Sequence, residues 1–259
     1  MTTGNGLSYF LNQHYSYRME SLPTEVFFEV FDYLKNEEIF FSFLNLNVRL
    51  NSIVGLYPLN LDFRQMSRSK FDFICRSIRT EQVINLILSD EKMPNQCELF
   101  KKKFPEFRKT FSSLKTLHYF NTSTIHSELP CNVCSLTIRT LYKENNVNGF
   151  ISNIFNRYGT QLTNLKVEGF YVFRSLTTTF SSLRELTIEF CDQAEFNQLR
   201  SFLCSTLKRL EIHFNEIEHF LPIGFDHLAK NLTDLRLSFS SGKFQIEIDI
   251  QLLKENYSS

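Results

Sequence analysis

The sequence has few of the residues on which phosphate-binding and catalytic loops depend. Glycine occurs only eight times in 259 residues, and no glycine-rich phosphate-binding motif is present. The H-E-x-x-H pattern of zinc proteases and the G-x-S-x-G pattern that presents a nucleophilic serine are missing too. Because no other arrangement of residues points to catalysis, we expect a protein that is not an enzyme, with no catalytic residues, no bound metal and no cofactor.

An excess of charge and long apolar runs are also missing. The 28 Lys and Arg residues balance the 28 Asp and Glu residues, which argues against general binding to nucleic acid or to a membrane surface. No apolar run is long enough to predict a transmembrane helix, and the first residues lack the pattern of a secretory signal. Six cysteines without such a signal predict free thiols in a reducing compartment, hence an intracellular, cytoplasmic or nuclear, location.

One C-x-x-C pair, Cys131 and Cys134, is the only metal-like motif in the sequence. A single pair cannot complete a tetrahedral zinc site, and no second pair follows at the usual spacing. His118 and His126 are near in sequence, which leaves a Cys/His site as an alternative. The simpler interpretation places Cys134 in a strand beside Leu136.

The run Lys101-Lys102-Lys103, followed by Arg108 and Lys109, is locally basic. Such runs usually form a solvated surface. We therefore interpret it as a solvated loop, with a binding patch as the alternative.

Residues 20–54 predict three short helices after a loose leader at residues 1–19. Pro23 suits a first helical residue, and Asn36 can cap the second helix with Glu37 and Glu38 in its first turn. The apolar residues at helical spacing are Val26, Phe27, Val30, Phe31 and Leu34, then Ile39, Phe40, Phe43 and Leu44, then Leu50, Ile53 and Val54. This is more apolar surface than so small a unit can bury, so it needs the following domain or another protein.

The stretch from Leu22 to Val54 resembles an F-box. The family pattern is Leu-Pro-x-Glu, paired aliphatics four residues apart, an aromatic-Leu pair, and an acid followed by an aliphatic. It falls on Leu22, Pro23, Glu25, Val26, Val30, Phe31, Tyr33, Leu34, Glu38 and Ile39. The sequence departs from the pattern at Asn47 and Leu50, where the family often has Cys and a bulky aromatic. An ordinary helical hairpin packed on its own domain is the alternative.

One phrase recurs through residues 55–259: an aliphatic, two variable residues, Leu, one variable residue and an aliphatic. The central leucines are Leu59, Leu86, Leu117, Leu136, Leu165, Leu186, Leu210 and Leu235. Their separations run from 19 residues (117 to 136) to 31 residues (86 to 117), near the period of leucine-rich repeats. The variable positions are mostly polar, so each phrase predicts a half-exposed strand. This region resembles a degenerate leucine-rich-repeat domain.

Helical patterns separate the predicted strands. Their apolar faces are Phe150, Ile151, Ile154 and Phe155 in one helix, and Phe196, Leu199, Phe202 and Leu203 in another. We therefore predict an α/β fold: a short helical F-box, then an irregular right-handed solenoid with parallel strands on its concave face. Alternating apolar residues at Phe244, Ile246, Ile248 and Ile250 predict a terminal cap strand.

An F-box followed by leucine-rich repeats is similar to the substrate receptors of SCF ubiquitin ligases. The resemblance implies that the F-box binds a Skp-type adaptor, and through it cullin and RING subunits, while the repeats hold a protein target. The residues implied in adaptor binding are Leu22, Pro23, Glu25, Val26, Val30, Phe31, Leu34, Ile39, Phe43 and Leu44. The alternative is a stand-alone repeat scaffold for protein interactions, whose N-terminal helices only cap the solenoid.

The variable positions of the phrase predict the target-binding surface. Their side chains flank each central leucine and face away from the core. The candidates are His118, Arg139, Lys166, Glu168, Glu189, Glu211, His213 and Arg236. Their mixed charge favours a protein partner over a nucleic acid.

Overall fold

The computed structural model describes residues 19–122, 125–139, 145–168, 176–191, 193–203, 205–214, 231–239 and 245–247. Its contacts divide the chain into two units, Met1–Tyr57 and Pro58–Ser259. The first is called the helical unit and the second the sheet unit. No helix in the described ranges combines the length and the apolarity needed to cross a membrane.

The described part of the helical unit holds three short α-helices. These are α1 (Thr24–Asp32), α2 (Asn36–Phe43) and α3 (Val48–Val54), with a 3₁₀ turn at Met19–Ser21. The three predicted helices are therefore confirmed.

The helix ends differ from prediction by one residue at two places. Pro23 immediately precedes α1, where its fixed φ of −56° suits the boundary. Lys35 caps α2, because its backbone is extended and its N–H donates to the Glu38 carboxylate at 2.8 Å. Asn36 is therefore the first helical residue of α2, and its predicted capping role was wrong.

Asn47, one of the departures from the family pattern, caps α3. Its side chain accepts a hydrogen bond from the backbone N–H of Leu50 at 2.8 Å. Leu50 itself is buried. A cap of this kind contributes about 1 kcal/mol, so Asn47 has a structural reason to stand here.

Phe31 is at the centre of the helical unit's core. Its ring makes edge contacts with Phe43 at 5.0 Å and with Tyr57 at 5.2 Å between centroids. The Tyr57 hydroxyl donates to Asp32 at 2.7 Å. Burial and that carboxylate raise the pKa of Tyr57 to about 12. Tyr57 therefore remains a neutral donor that ties the end of the unit to the end of α1.

The sheet unit is built from nine described strands and five described α-helices. The strands are β1 (Leu59–Asp62), β2 (Val83–Ser89), β3 (Thr116–Phe120), β4 (Ser135–Arg139), β5 (Asn164–Glu168), β6 (Glu185–Cys191), β7 (Arg209–Phe214), β8 (Asp234–Phe239) and β9 (Gln245–Glu247). The helices are α4 (Arg68–Ser77), α5 (Gln96–Lys103), α6 (Phe107–Thr110), α7 (Asn145–Tyr158) and α8 (Gln193–Leu199). The mixed α/β class is confirmed.

The strands lie side by side in chain order in one sheet. β1 to β8 are parallel, and β9 pairs with β8 in the antiparallel direction. Seven predicted central leucines occupy one row in strict register: Leu86, Leu117, Leu136, Leu165, Leu186, Leu210 and Leu235. The second core row is Leu88, Tyr119, Ile138, Val167, Ile188, Ile212 and Leu237. No member of either row is more than 3% exposed.

The first predicted phrase is out of register. Leu61, not Leu59, lies beside Leu86 in the leucine row, whereas Leu59 lies opposite Val83. An irregularity between Leu59 and Asn60 shifts the pairing. Both leucines are buried, so apolarity alone did not distinguish their positions.

The predicted helical faces are confirmed where side chains are described. Ile151, Ile154 and Phe155 of α7 are buried, as are Phe196 and Leu199 of α8. Leu203, which follows a 3₁₀ turn at residues 200–202, is buried and Phe202 is half-buried. The side chain of Phe150 lies outside the described residues.

The predicted cap strand is present over three residues. In β9, Ile246 lies opposite Leu237 of β8. The antiparallel direction of β9 was not predicted. Residues 244, 248 and 250 lie outside the described ranges.

The basic run is helical, so its interpretation as a loop was wrong. Lys101, Lys102 and Lys103 form the last turn of α5, and α6 contains Arg108 and Lys109. Helix α5 forms because Cys97 and Phe100 bury one face, and cations are stabilised near a helix C-terminus.

Candidate protein-interaction surfaces

The helical unit carries all the strongly exposed large apolar side chains found in the described residues. They are Met19, Leu22, Val30, Tyr33, Phe41, Leu46, Val48 and Leu56. Tyr33 is 90% exposed and Val48 is 83% exposed. Because all eight belong to one small unit and none to the described part of the sheet unit, the helical unit is the candidate for an apolar interaction site. We call these eight residues the apolar surface.

The spacing of the apolar side chains along α1 places some of them in the core and others on the apolar surface. Phe27 and Phe31 are four residues apart and point inward, where both are buried. Val30 and Tyr33 lie three residues apart on another side of the helix and are exposed. Phe31, which the family resemblance implies in adaptor binding, is fully buried, because the aromatic cluster with Phe43 and Tyr57 occupies that side of α1.

The ten residues predicted to bind an adaptor fall into three groups. Leu22, Pro23, Glu25 and Val30 are exposed, whereas Val26, Leu34, Phe43 and Leu44 are half-buried. Phe31 and Ile39 are fully buried and hold the core of the unit. In this conformation, Phe31 and Ile39 therefore make no direct contact with a partner protein.

Sequence reasoning missed four members of the apolar surface that follow α1. Phe41 is 52% exposed although its neighbour Phe40 is buried, because consecutive helical residues point about 100° apart. Leu46 and Val48 flank the capping residue Asn47, and Leu56 follows α3. The helical period of α2 was sufficient to predict that Phe41 lies outside the buried face of that helix.

A hydrogen bond fixes the start of α1. The Arg49 guanidinium, in α3, donates to the backbone carbonyl of Leu22 at 2.5 Å. Leu22 directly precedes Pro23, and the proline ring restricts the backbone of Leu22 to extended conformations. The exposed side chain of Leu22 is thus held in place by groups on both sides.

The sheet unit presents two polar rows that alternate with the core rows. The first is Ile87, His118, Thr137, Lys166, Thr187, Glu211 and Arg236. The second is Ser89, Phe120, Arg139, Glu168, Glu189, His213 and Ser238. Four of the predicted target-binding residues lie in each row, so the structure brings all eight onto one face. Glu189 belongs to the second row, whereas Lys166, Glu211 and Arg236 belong to the first.

The charges at the middle of this face are paired with one another. Lys166 Nζ lies 2.9 Å from Glu168 Oε1 and 3.0 Å from Glu189 Oε1. Arg139 Nε lies 3.0 Å from Glu168 Oε2. Burial alone would lower the pKa of Lys166, but hydrogen bonds to the two carboxylates outweigh it and raise the pKa. Glu168, with only 8% of its side chain exposed, was expected on an open surface and is instead enclosed.

The charges near β7 and β8 are paired as well. Arg209 lies 3.5 Å from Glu185 and 3.1 Å from Asp234, and Arg236 lies 3.3 Å from Asp234. These pairs are partly exposed and each contributes little to stability. They leave no strong excess of either sign on this part of the face.

His213 is also held by neighbours in this region. Its Nε2 lies 3.2 Å from Glu211, and its Nδ1 hydrogen-bonds to the Ser238 hydroxyl. The ring is thus oriented from two adjacent strands, β7 and β8.

An aromatic and arginine cluster lies where β1 to β3 run side by side. The Arg64 guanidinium carbon is 5.3 Å from the centre of the Phe120 ring. The His118 ring stacks near Phe120 at 6.2 Å with a 14° interplanar angle. Ile87 is the direct neighbour of His118 in the first row. We call Arg64, Ile87, His118 and Phe120 the aromatic patch.

The electrostatics of the aromatic patch fix its protonation states. Burial, and then the charge of Arg64, lower the pKa of His118, so its imidazole is neutral at physiological pH. Burial opposes ionisation of Asp62, but hydrogen bonds from Arg64 outweigh it and lower the pKa of Asp62. Those bonds hold Arg64 above Phe120. Sequence reasoning missed Phe120. It follows the core residue Leu117 by three positions, and strand alternation places such a residue on the face opposite the core.

The described cysteines give no support for a metal site. Cys75 and Cys97 are buried, Cys131 is exposed and Cys134 is partly exposed, and all four are free. Within the described residues, no group of three or more His, Cys, Asp and Glu side chains is arranged to hold a metal ion. Burial raises the pKa of Cys75 to about 12, which keeps that thiol protonated.

No family model matches the sequence, and no curated protein is significantly similar to it. Function is therefore inferred from the surfaces themselves. The apolar surface offers a contact for an apolar partner. The face of polar rows, with the aromatic patch at one end, offers a second and chemically different contact.

Proposed function

We propose that this chain is the non-catalytic substrate-recognition subunit of an SCF-type ubiquitin ligase. The helical unit is an F-box that binds a Skp-type adaptor, and through it cullin and RING subunits. The sheet unit is a leucine-rich-repeat domain that binds a protein target. The observation that carries the proposal is the concentration of exposed large apolar side chains in the helical unit, on its helices and in the segments beside them.

The apolar surface supports the adaptor contact in two ways. Leu22 and Val30 stand at positions of the F-box pattern and are exposed. Tyr33, at the aromatic position of the same pattern, is the most exposed of the eight residues. Tyrosines are enriched among residues whose truncation costs about 2 kcal/mol or more at interfaces. We expect Val30 and Tyr33 to be central contacts.

The leucine row supports the repeat assignment. Seven leucines from seven successive strands lie directly beside one another, with each strand paired to its neighbour in the chain. Such nearest-neighbour stacking is the organisation of a repeat domain, in which each unit buries its apolar face only against adjacent units. Extended strand faces of such domains are common binding surfaces.

The aromatic patch is the part of the strand face best suited to a target. The charges around Lys166 and Arg209 are already satisfied within the chain, so a partner gains little by contacting them. Phe120 and His118 are half-exposed, and Arg64 lies against Phe120. Arginine and aromatic side chains dominate binding energy at protein interfaces.

The mechanism requires no chemistry from this chain. Holding the target and the adaptor at once raises the effective concentration of target lysines near a charged conjugating enzyme. The rate gain then depends on simultaneous binding at two surfaces. A variant that loses either surface loses the activity of the assembly.

Binding to a purified Skp-type adaptor tests the proposal. We expect the full chain to form a stable complex and the double variant Val30→Ala with Tyr33→Ala to lose it. Glu29→Ala is the matched control, because Glu29 is exposed on the same helix and is polar. Adaptor binding that survives the double variant, or no binding by the unaltered chain, refutes the F-box assignment and favours the stand-alone scaffold.

A further inference from the structure

A cleft of about 460 Å³ lies beside α5, α6 and the segment after β3. Three cationic residues line it, Lys101, Arg108 and Lys109, together with His126. This volume is within the range of about 300–1,000 Å³ that small-molecule sites occupy. The cleft belongs to the sheet unit and has no part in the function proposed above.

The acids of the cleft are already paired, whereas two of its cations are not. Glu106 lies 3.5 Å from Lys109, and Glu128 lies 3.2 Å from Arg157. Among the described residues, Lys101 and Arg108 form no ion pair. Both are exposed and line the same cleft, so they leave it with two uncompensated positive charges.

His126 contributes a buried polar atom without a partner. The residue is only 4% exposed, and its ring stacks on Phe107 at 4.2 Å between centroids. Its Nδ1 lies 2.7 Å from the Tyr119 hydroxyl, while its Nε2 is buried and has no hydrogen-bond partner. A buried polar atom of this kind calls for a specific explanation.

The hydrogen bonds of Tyr119 decide which nitrogen of His126 carries the proton. Burial lowers the pKa of His126 to about 3 and raises that of Tyr119 well above its ordinary value, so both are neutral. The Tyr119 oxygen already accepts from the His126 backbone N–H at 3.4 Å. Its O–H donates to Nδ1, because the other tautomer would leave a second polar group unsatisfied. Nε2 therefore carries a hydrogen and is a donor.

We propose that this cleft binds a phosphoryl group. A phosphate dianion matches the two uncompensated charges of Lys101 and Arg108. Its oxygens also accept from His126 Nε2–H once the atoms that cover this nitrogen move aside, because it is fully buried in this conformation. The Arg108 guanidinium can donate two parallel hydrogen bonds to such an anion, and Lys101 adds a point charge. The ligand is a small phosphorylated molecule or a phosphorylated side chain, and both share this chemistry.

Thermal unfolding of the full chain tests the proposal, with inorganic phosphate, O-phosphoserine, serine and chloride compared at equal ionic strength. We expect saturable stabilisation by phosphate or O-phosphoserine and none by serine or chloride, because a ligand that binds only the folded state raises its stability. Stabilisation by O-phosphoserine alone identifies a phosphorylated side chain as the ligand. Stabilisation by serine, or no saturation by either phosphoryl probe below about 10 mM, overturns the proposal.

Variants locate the site. Lys101→Gln with Arg108→Gln is expected to weaken phosphoryl binding at least about tenfold, since it removes both charge-assisted donors. Lys102→Gln is the matched control, because Lys102 is on the same helix but pairs with Glu98 at 2.6 Å and does not line the cleft. An equal loss in the control indicates a general charge effect and refutes the site. The Nε2–H resonance of His126 should shift with phosphate in the unaltered chain, and an unmoved resonance contradicts its role as a donor.

Discussion

Replacing Leu186 with Ala tests the leucine row directly. Leu186 is 1% exposed and pairs in register with Leu165 on one side and Leu210 on the other. Large-to-small changes in a core cost about 2–5 kcal/mol, depending on how far the neighbours relax into the cavity. Here strand pairing holds both neighbouring leucines in place, so we expect about 3–5 kcal/mol. That is a large share of the roughly 5–15 kcal/mol by which domains are stable.

Denaturant unfolding measures this loss, with Thr187→Ala as the control. Thr187 is the next residue of β6, lies in the first polar row and is half-buried. Its replacement changes intrinsic strand preference by no more than about 1 kcal/mol. Equal losses from the two variants, or a larger loss from Thr187→Ala, would mean that the two faces of β6 have been exchanged.

Three further predictions concern the charged network and the helical unit. Glu168→Gln should lower the free energy of unfolding by about 1–2 kcal/mol, which is less than the full cost of breaking a buried ion pair because Arg139 and Lys166 are half-exposed. Glu189→Gln should lower it by less. The reverse order of the two losses in urea unfolding would contradict the burial of Glu168. Folding raises the pKa of Lys166 above its ordinary 10.5, so the stability that charged Lys166 adds to the folded state should be complete below pH 10.5 and be lost as pH rises through the raised pKa. Lys166→Met should abolish this loss of stability at alkaline pH. An unchanged dependence of unfolding on pH would refute the pairing of Lys166 with Glu168 and Glu189. Phe31→Ala should destabilise the helical unit by about 3–5 kcal/mol and Val30→Ala by less than about 1 kcal/mol, and similar thermal shifts for the two would contradict their opposite exposures.

Local patterns predicted much of the fold because they report burial along one element. Alternation around Leu186 and Leu210 predicted both strands and the leucine row, since side chains on a strand point to opposite faces. The same reasoning failed at Leu59 and Leu61. Both are apolar and two residues apart, so only their pairing with β2, which shifts at Asn60, decides which joins the row.

The candidate surfaces were predictable only in part because burial also depends on distant residues. Glu168 has the polar type of an exposed strand position, yet Arg139 and Lys166, brought beside it by β4 and β5, enclose it. Phe31 fits a family position, but the rings of Phe43 and Tyr57 determine that it points inward. A sequence pattern gives the residue types at a surface and not the contacts that cover them.

Affinity purification of the full chain from cells that express it, with identification of the captured proteins, tests the central claim most directly. The unaltered chain should recover a Skp-type adaptor, a cullin and a RING subunit together with a target. The variant Val30→Ala with Tyr33→Ala should lose the first three and retain the target, because the sheet unit is unchanged. A chain that recovers no adaptor, or a variant that recovers the adaptor in the same amount, would contradict the assignment as an SCF-type substrate receptor.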